Sequence, residues 1–291
     1  MNLILLDRLS IQIRCNGDAT ENNDDSSSAE FVLASSDTRA KHIRNHLKKT
    51  KGDRIRIGLF PNGPLGEAAI TSIDSDAVHV SVDDASLRPP PDRPLIKILI
   101  GMPYPRVVKA LWSVLASFGV DEIIYGRAEL TEADFLETSA LTPKVYEPLL
   151  REGLSQGMDT RQPKVTILPK DTFILDWLRK ESAVKYTDCC KIFLHIQDGV
   201  PTPSIRRCYQ QRGKGQKGIF LAIGPERGWT DKEAAAFVQA DFLCASLGDP
   251  ILRTDTSAIS AIALSRDVLL EQGSSENGKA NLGKRSKTAM A

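Results

Sequence analysis

The run Arg88-Pro89-Pro90-Pro91-Asp92-Arg93-Pro94 separates two stretches of different periodicity, and no single helix or strand can pass through it. Consecutive prolines fix φ and remove amide donors, so the run suits a stiff linker and not the interior of an element. Two folding units are therefore expected, one on each side. With 291 residues, 41% of them hydrophobic, the chain has enough apolar material for each to bury a core.

Before the prolines, short β-rich runs dominate: Leu3 to Leu6, Ile11 to Ile13, Phe31 to Leu33, Ile55 to Phe60, Ala68 to Ile73 and Val78 to Val82. Turn signals between them predict a small barrel over residues 1–90. A polar, acidic stretch from Asn16 to Ser28 reads as a surface loop within it. One helix interrupts the strands, from Asp37 or Thr38 to Lys49, with Ala40, Ile43 and Leu47 on one face and Gly52 beyond its end.

After the prolines the pattern alternates. Strand-like runs are Leu95 to Ile100, Glu122 to Tyr125, Lys164 to Leu168, Ile192 to Gln197, Ile219 to Ile223 and Phe242 to Leu247. Helical patterns cover Val107 to Phe118, Tyr146 to Leu154, Phe173 to Arg179, Thr230 to Gln239 and Ala258 to Leu270. Near-continuous apolar strands alternating with amphipathic helices predict an α/β domain with a mostly parallel sheet over residues 91–271. Residues 272–291, rich in Gly, Ser, Asn and Lys, hold too little apolar content to order themselves and read as a disordered tail.

Several function classes are excluded early. Lys and Arg number 38 against 37 Asp and Glu, so there is no global pull toward nucleic acid or membrane, and any electrostatic role must come from local clusters. No apolar run approaches the roughly 18 residues of a membrane span. The five cysteines form no C-x-x-C pair, which argues against a disulfide framework or a zinc ribbon and for a reducing, cytoplasmic setting. No import leader is readable at the N-terminus. Gly213-Lys214-Gly215-Gln216-Lys217-Gly218 fits G-x-G-x-x-G but precedes a strand, where a dinucleotide fingerprint must follow one. P-loop, zincin and α/β-hydrolase motifs do not occur.

In open α/β sheets ligands bind at the carboxyl ends of strands, so the loops after these runs are where function is sought. Ile219 to Ile223 empties into Gly224-Pro225-Glu226-Arg227-Gly228-Trp229, and Thr230 with Glu233 has capping-box spacing. The loop is either a tight strand-to-helix turn or a place where glycines let a ligand approach backbone amides. The run Leu247-Gly248-Asp249-Pro250-Ile251-Leu252-Arg253-Thr254-Asp255-Thr256-Ser257 joins a strand to the last helix, with several residues able to cap it. Charge is locally uneven. Arg39 to Arg56 holds eight Lys and Arg with His42 and His46 against Asp53 alone, and Val200 to Pro225 holds Arg206, Arg207, Arg212, Lys214 and Lys217 with no carboxylate before Glu226. Such clusters fit phosphate contact, and equally a solvated face.

These loops, together with Gln156-Gly157-Met158-Asp159-Thr160, resemble the RsmE family of SPOUT-type methyltransferases, which act on N3 of a uridine in small-subunit ribosomal RNA. The resemblance covers nearly the whole chain. It implies a PUA-like β-barrel followed by a SPOUT-type trefoil-knotted parallel sheet flanked by helices, a homodimer with sites at the subunit interface, and S-adenosylmethionine as cofactor with no metal. Carried over residue by residue, the cofactor pocket is Leu221, Ile223, Gly224, Pro225, Glu226, Gly228, Leu247, Gly248, Ile251 and Leu252. Arg253 and Asp255 become the catalytic pair, Arg253 orienting the uracil and Asp255 either accepting a proton or capping the last helix. Thr254 and Thr256 lie on the substrate side, with Gln156 and Arg161, while Arg39, His42, Arg44, Lys48 and Lys49 contact the RNA or an assembling ribosomal particle.

Three departures from the family pattern carry expectations of their own. Gly-Pro-Glu-Gly-Gly becomes Gly224-Pro225-Glu226-Arg227-Gly228, so a positive φ at Arg227 would crowd the pocket. Glu-Thr-Ala becomes Asp255-Thr256-Ser257, which keeps the carboxylate on a shorter arm. The usual Arg after Gln156 is Asp159, which reverses a charge while Arg161 is retained. With these departures, a non-catalytic SPOUT-like RNA-binding dimer and a methyltransferase for a different uridine are the alternatives to rRNA methylation.

Overall fold

The computed structural model describes residues 3–7, 29–182, 185–196, 201–213 and 215–288. The run Ile11 to Ile13 and the polar stretch from Asn16 to Ser28 lie outside the described residues. The chain divides into two compact units, Met1–Asp92 with Leu150–Gln162, and Arg93–Leu149 with Pro163–Ala291. One boundary falls inside the proline run. The other differs from expectation, because Leu150–Gln162 groups with the first unit. Its backbone explains why: Leu3 N–H donates to Ser155 O at 3.2 Å and Asn62 N–H to Thr160 O at 2.8 Å. Arg151 also pairs with Asp7 at 2.7 Å. Such long-range pairings leave no local periodicity to read.

The first unit is built on a five-stranded mixed sheet. Its strands are β1 (Ile4–Asp7), β2 (Glu30–Ala34), β3 (Arg54–Phe60), β4 (Leu65–Ile73) and β5 (Ala77–Val82), in the order β1-β3-β4-β5-β2. β1 runs parallel to β3, and the remaining pairs are antiparallel. Period-two patterning sets the faces: Ile55 and Ile57 of β3 are buried while Arg54 and Arg56 are exposed. Helix α1 (Thr38–Lys41) starts at Asp37, whose carboxylate accepts the Arg39 N–H at 2.8 Å. It continues as a π-helical turn, His42–His46, and lays Ala40 and Ile43 on a core that includes Ile4, Leu6, Phe31 and Val80.

That helix stops short of the expected Lys49. Leu47 N–H closes on His42 O at 3.0 Å, Lys48 takes a left-handed φ of 49°, and Lys49 N–H returns to Ile43 O at 3.1 Å. The wider π turn rotates Leu47 off the face of Ala40 and Ile43 and leaves it 38% exposed.

The second unit is an α/β fold on a six-stranded, all-parallel sheet. The strands are β6 (Leu95–Gly101), β7 (Glu122–Gly126), β8 (Lys164–Ile167), β9 (Cys189–Leu194), β10 (Gly218–Ile223) and β11 (Leu243–Ala245), in the order β11-β9-β10-β6-β7-β8. Every residue of central β10 is buried, which accounts for its unbroken apolar run. The helices are α2 (Pro105–Ser117), α3 (Pro143–Gly157), which bridges into the first unit, α4 (Ile174–Trp177), α5 (Ile205–Arg212), α6 (Asp231–Gln239) and α7 (Thr254–Thr288). The capping box of Thr230 and Glu233 sets the start of α6.

Four further elements differ from their reading. Helix α5 lies in what reads only as a basic run, yet Ser204 caps it and Ile205, Cys208 and Tyr209 share a buried face at helical spacing. β9 begins before Ile192, and both β9 and β11 end early, so His195 and Ser246 already belong to loops. α7 continues to Thr288, taking in residues assigned to the tail; extending an existing helix needs no new nucleus.

Candidate functional site

The early ends of β9 and β11 open a cavity of about 330 Å³ at the carboxyl edge of the sheet. β9 contributes Leu194, His195 and Ile196, β10 contributes Ile223 through Trp229, and β11 continues from Ala245 into Leu247, Gly248 and Pro250 to Leu252. Thr254 and Ser257, at the start of α7, complete the wall. His195 N–H donates to Ala245 O at 3.1 Å, which holds the first and third loops together.

The β10 loop is a tight turn in which Gly228 N–H donates to Pro225 O at 2.9 Å. Positive φ falls on Gly228, at 70°, and not on Arg227. Arg227 is therefore an unstrained, exposed residue on the rim, and the crowding expected of it does not arise. Gly224 is needed for space, since a Cβ there would stand 3.2 Å from Gly228 Cα. Gly101, at the end of β6, is under a stronger constraint, because a Cβ would meet Pro225 Cδ at 2.6 Å. Trp229 is buried edge-on against Phe237, with ring centroids 4.8 Å apart. Glu226 reaches away from the turn, and its Oε1 accepts the Tyr104 N–H at 3.1 Å.

In the β11 loop, Ser246 Oγ accepts the Gly248 N–H at 3.0 Å and Gly248 takes a φ of 112°. Thr254 is buried, and its Oγ1 donates to Gly224 O at 3.4 Å, tying the start of α7 to the β10 loop. Arg253 is 71% exposed and bonds Asp255 Oδ2 at 2.8 Å. Asp255 Oδ1 meanwhile accepts the Thr256 N–H at 2.8 Å, so one carboxylate both fixes the guanidinium and satisfies a first-turn amide.

Of the ten residues expected in the cofactor pocket, Ile223, Gly224, Pro225, Glu226, Gly228, Leu247, Gly248, Ile251 and Leu252 line the cavity. Leu221 does not; it lies fully buried within β10. Sequence reasoning missed His195, Trp229, Ser246 and Ser257 as wall residues. His195 was hidden by the overlong reading of β9. Burial pushes its imidazole pKa down, more than the nearby Asp231 carboxylate raises it, and the net value is below the usual histidine range.

The residues expected to meet RNA divide by what already holds them. Arg39 is internal to the first unit, bonding Asp37 Oδ2 at 2.7 Å, Leu5 O at 2.6 Å and Asp7 at 3.2 Å. Arg44 caps backbone carbonyls of Asp74 and Ala77, the latter at 2.7 Å. His42 and His46 stack on each other, with centroids 5.2 Å apart. Lys48 is exposed, Lys49 half-buried, and Gln156 and Thr256 are exposed. Arg161 forms a two-point pair with Asp159, at 2.9 and 2.8 Å, so the reversed charge at Asp159 is balanced two residues away. The run from Arg206 to Lys217 is not bare either, because Arg206 pairs with Asp267 and Glu271 and Arg212 with Asp241.

The fold and site define an α/β protein with a ligand cavity on the carboxyl ends of a parallel sheet, among strands β9, β10 and β11. The chain belongs to the family described as the RNA methyltransferase domain, whose model matches residues 91–266. It is 28% identical over 240 residues to ribosomal RNA small subunit methyltransferase E 1 of Borreliella burgdorferi, covering 82% of this chain and 93% of that one. The corresponding enzyme of Treponema pallidum is 26% identical, over 80% of this chain and 84% of its own length. In fold it matches the crystal structure of ribosomal RNA small subunit methyltransferase E from Neisseria gonorrhoeae bound to S-adenosyl methionine. That match has a TM-score of 0.64 at 16% identity and covers 90% of this chain and 96% of the other. A Legionella pneumophila protein in complex with the same cofactor matches with a TM-score of 0.63 at 18% identity, over 92% and 98%. Among the described residues no helix is long and apolar enough to cross a membrane.

Proposed function

We propose that this protein transfers the methyl group of S-adenosylmethionine to N3 of a uridine in small-subunit ribosomal RNA. The observation that carries the reading is the convergence of the β10 and β11 loops on one cavity, in a chain 28% identical to a ribosomal RNA small subunit methyltransferase. The residues present suit the cofactor. Gly248 leaves backbone open for close approach, Gly224 lets the turn close tightly on Gly228, and Ile223, Leu247, Ile251 and Leu252 offer apolar surface for a flat adenine ring.

When bound, the cofactor supplies an electrophilic methyl on a sulfonium. The chain's own part is to align the uracil and stabilise the charge left when the N3 proton departs. Arg253, held by Asp255 at 2.8 Å, retains guanidinium donors for the two uracil carbonyl oxygens over which that charge spreads. Asp255 orients Arg253 and is the carboxylate nearest in sequence that can take the proton. Thr254 keeps the two loops in register through Gly224 O.

The same reading includes a trefoil knot formed by the β9, β10 and β11 loops, a PUA-like first unit that binds RNA through Lys48, Lys49 and their neighbours, and a cytoplasmic homodimer. Ile251, 89% exposed at the rim, and Ile259, 37% exposed on α7, supply apolar surface for a second subunit.

The test is a calorimetric titration with S-adenosylmethionine, with S-adenosylhomocysteine as product control, followed by labelled methyl transfer to small-subunit rRNA and nucleoside analysis. Saturable binding and 3-methyluridine are expected. Cofactor binding with label at another position would replace the N3 assignment. RNA binding without cofactor binding would make this a non-catalytic RNA-binding relative.

A further inference from the structure

We propose that Tyr104, Arg106 and Arg227 hold one unstacked nucleotide of the RNA at the rim of the cavity, its base on the Tyr104 ring and its phosphate on the two guanidinium groups. The inference rests on the methyl-transfer reading for its purpose, and on separate residues for its geometry. N3 of uridine lies on the Watson–Crick edge, so the target must be unpaired and out of its stack before it can react. A protein that works on such a base needs a surface to receive the opened strand.

Tyr104 is the only aromatic side chain among the exposed large hydrophobic residues described, at 47%. It sits immediately before α2, in the loop after β6, and it is held there. Its N–H is fixed by Glu226 Oε1 at 3.1 Å, and Glu226 itself lines the cavity. Phe135 lies beside the ring, with centroids 5.2 Å apart and planes at 50°. The Arg106 guanidinium carbon is 5.8 Å from the ring centroid. A ring supported in this way loses little freedom when a base stacks on it.

Arg227 follows Glu226 and lines the same cavity. It is exposed, and no hydrogen bond or ion pair engages it among the described residues. Arg106 is exposed as well, with the Tyr104 ring as its contact. An exposed aromatic with one guanidinium at its ring, and a second on the loop whose Glu226 fixes its N–H, presents the ring and the positive charge by which proteins grip single-stranded nucleic acid.

The experiment uses the full chain, a fluorescein-labelled oligouridylate and intact small-subunit rRNA, with anisotropy titrations at several salt concentrations. Tyr104→Ala is expected to weaken RNA binding by about 5- to 150-fold, the range of one base stack, without altering the salt slope. Tyr104→Phe should restore binding, because stacking needs the ring and not the hydroxyl. Arg227→Gln should lower the salt slope by about 0.7, the release expected for one phosphate of a single strand. Wild-type affinity in Tyr104→Ala, or equal loss in Tyr104→Phe and Tyr104→Ala, would overturn the proposal. So would a change of oligomeric state in Tyr104→Ala by sedimentation, which would assign the ring to a protein contact. Calorimetry with S-adenosylmethionine separates the two readings. Tyr104-dependent RNA binding without cofactor binding sinks methyl transfer and supports the stacking site, whereas methyl transfer with an unchanged RNA KM in Tyr104→Ala sinks the stacking site alone.

Discussion

Arg253 Nη2 lies 2.8 Å from Asp255 Oδ2, so the two residues expected to act on the substrate are bonded to each other. The carboxylate holds the guanidinium in one orientation while its second oxygen stays engaged by the Thr256 N–H. Under the proposed function, Asp255 would position Arg253 for the substrate, whether or not it also takes a proton.

Arg253→Ala should lower kcat by about 10²- to 10³-fold, the effect of removing one donor to developing negative charge. The cofactor Kd should not follow. Because Arg253 is 71% exposed, the melting temperature should scarcely move. Asp255→Asn keeps an acceptor for the Thr256 N–H but loses the ionic hold on Arg253, so a smaller loss of kcat is expected. Single-turnover methylation checks both, and full turnover in Arg253→Ala would remove it from the reaction.

Two glycines of the β10 loop are needed for different reasons and should fail differently. At Gly224 the obstacle is space, with Gly228 Cα 3.2 Å from a would-be Cβ. Gly224→Val should abolish saturable S-adenosylmethionine binding in calorimetry while circular dichroism shows a folded chain. At Gly228 nothing lies within 4 Å of a Cβ, but φ is 70°. Gly228→Ala should therefore reduce stability by roughly 1–2 kcal/mol, the left-handed penalty for an L-residue, with a milder effect on binding.

The first unit carries an acid-sensitive ion pair. Burial pushes the Asp37 carboxyl up, but its hydrogen bonds to the Arg39 guanidinium and backbone, with the guanidinium charge, outweigh this and hold it below its ordinary value of 3.8. A carboxyl depressed in the folded state is protonated more readily when unfolded. Its contribution is complete above the unfolded value and lost as pH falls from there through the folded one. Urea midpoints should decline across that acidic window in the wild type and less steeply in Asp37→Asn. Arg39→Met should reduce stability at neutral pH by about 1–3 kcal/mol, since it removes charged hydrogen bonds to Asp37, Asp7 and Leu5 O.

How much of this was legible follows from the range of each interaction. β6, β7 and β10 were readable because their apolar runs record burial residue by residue, and the start of α6 was readable because Thr230 and Glu233 satisfy each other within one turn. The two loops that line the cavity were legible from their place at strand ends, but which of their residues form a pocket was legible only through the resemblance, since nothing local separates Gly224 from the glycine of an ordinary turn. What escaped was long-range. Leu150–Gln162 joins the first unit through partners such as Leu3 and Asn62, and the partners of Arg206 come from α7. Leu47 was misplaced by one inserted residue in a helical turn. His195 was missed because an apolar run alone does not show where a strand stops pairing.

The basic run at 39–56 can now be sorted into residues that hold the fold and residues open to a ligand, and the two sets predict different phenotypes. Arg39 and Arg44 are committed to carboxylates and carbonyls within the first unit. Arg44→Ala should lower the urea midpoint, because it removes the guanidinium that bonds the carbonyls of both Asp74 and Ala77, and any loss of RNA binding should be repaired by conditions that restore folding. Lys48 and Lys51 are exposed and Lys49 half-buried, and all three sit at or just after the left-handed stop of the helix. Neutralising them to Gln should leave the urea midpoint within about 0.5 kcal/mol of wild type. If all three meet phosphates of single-stranded RNA, the slope of log affinity against log salt should fall by about two, at roughly 0.7 per contact. An unchanged slope with weakened binding would mean that the lysines act on the RNA other than through its phosphates; an unchanged slope with unchanged binding would remove this corner of the first unit from the RNA interface.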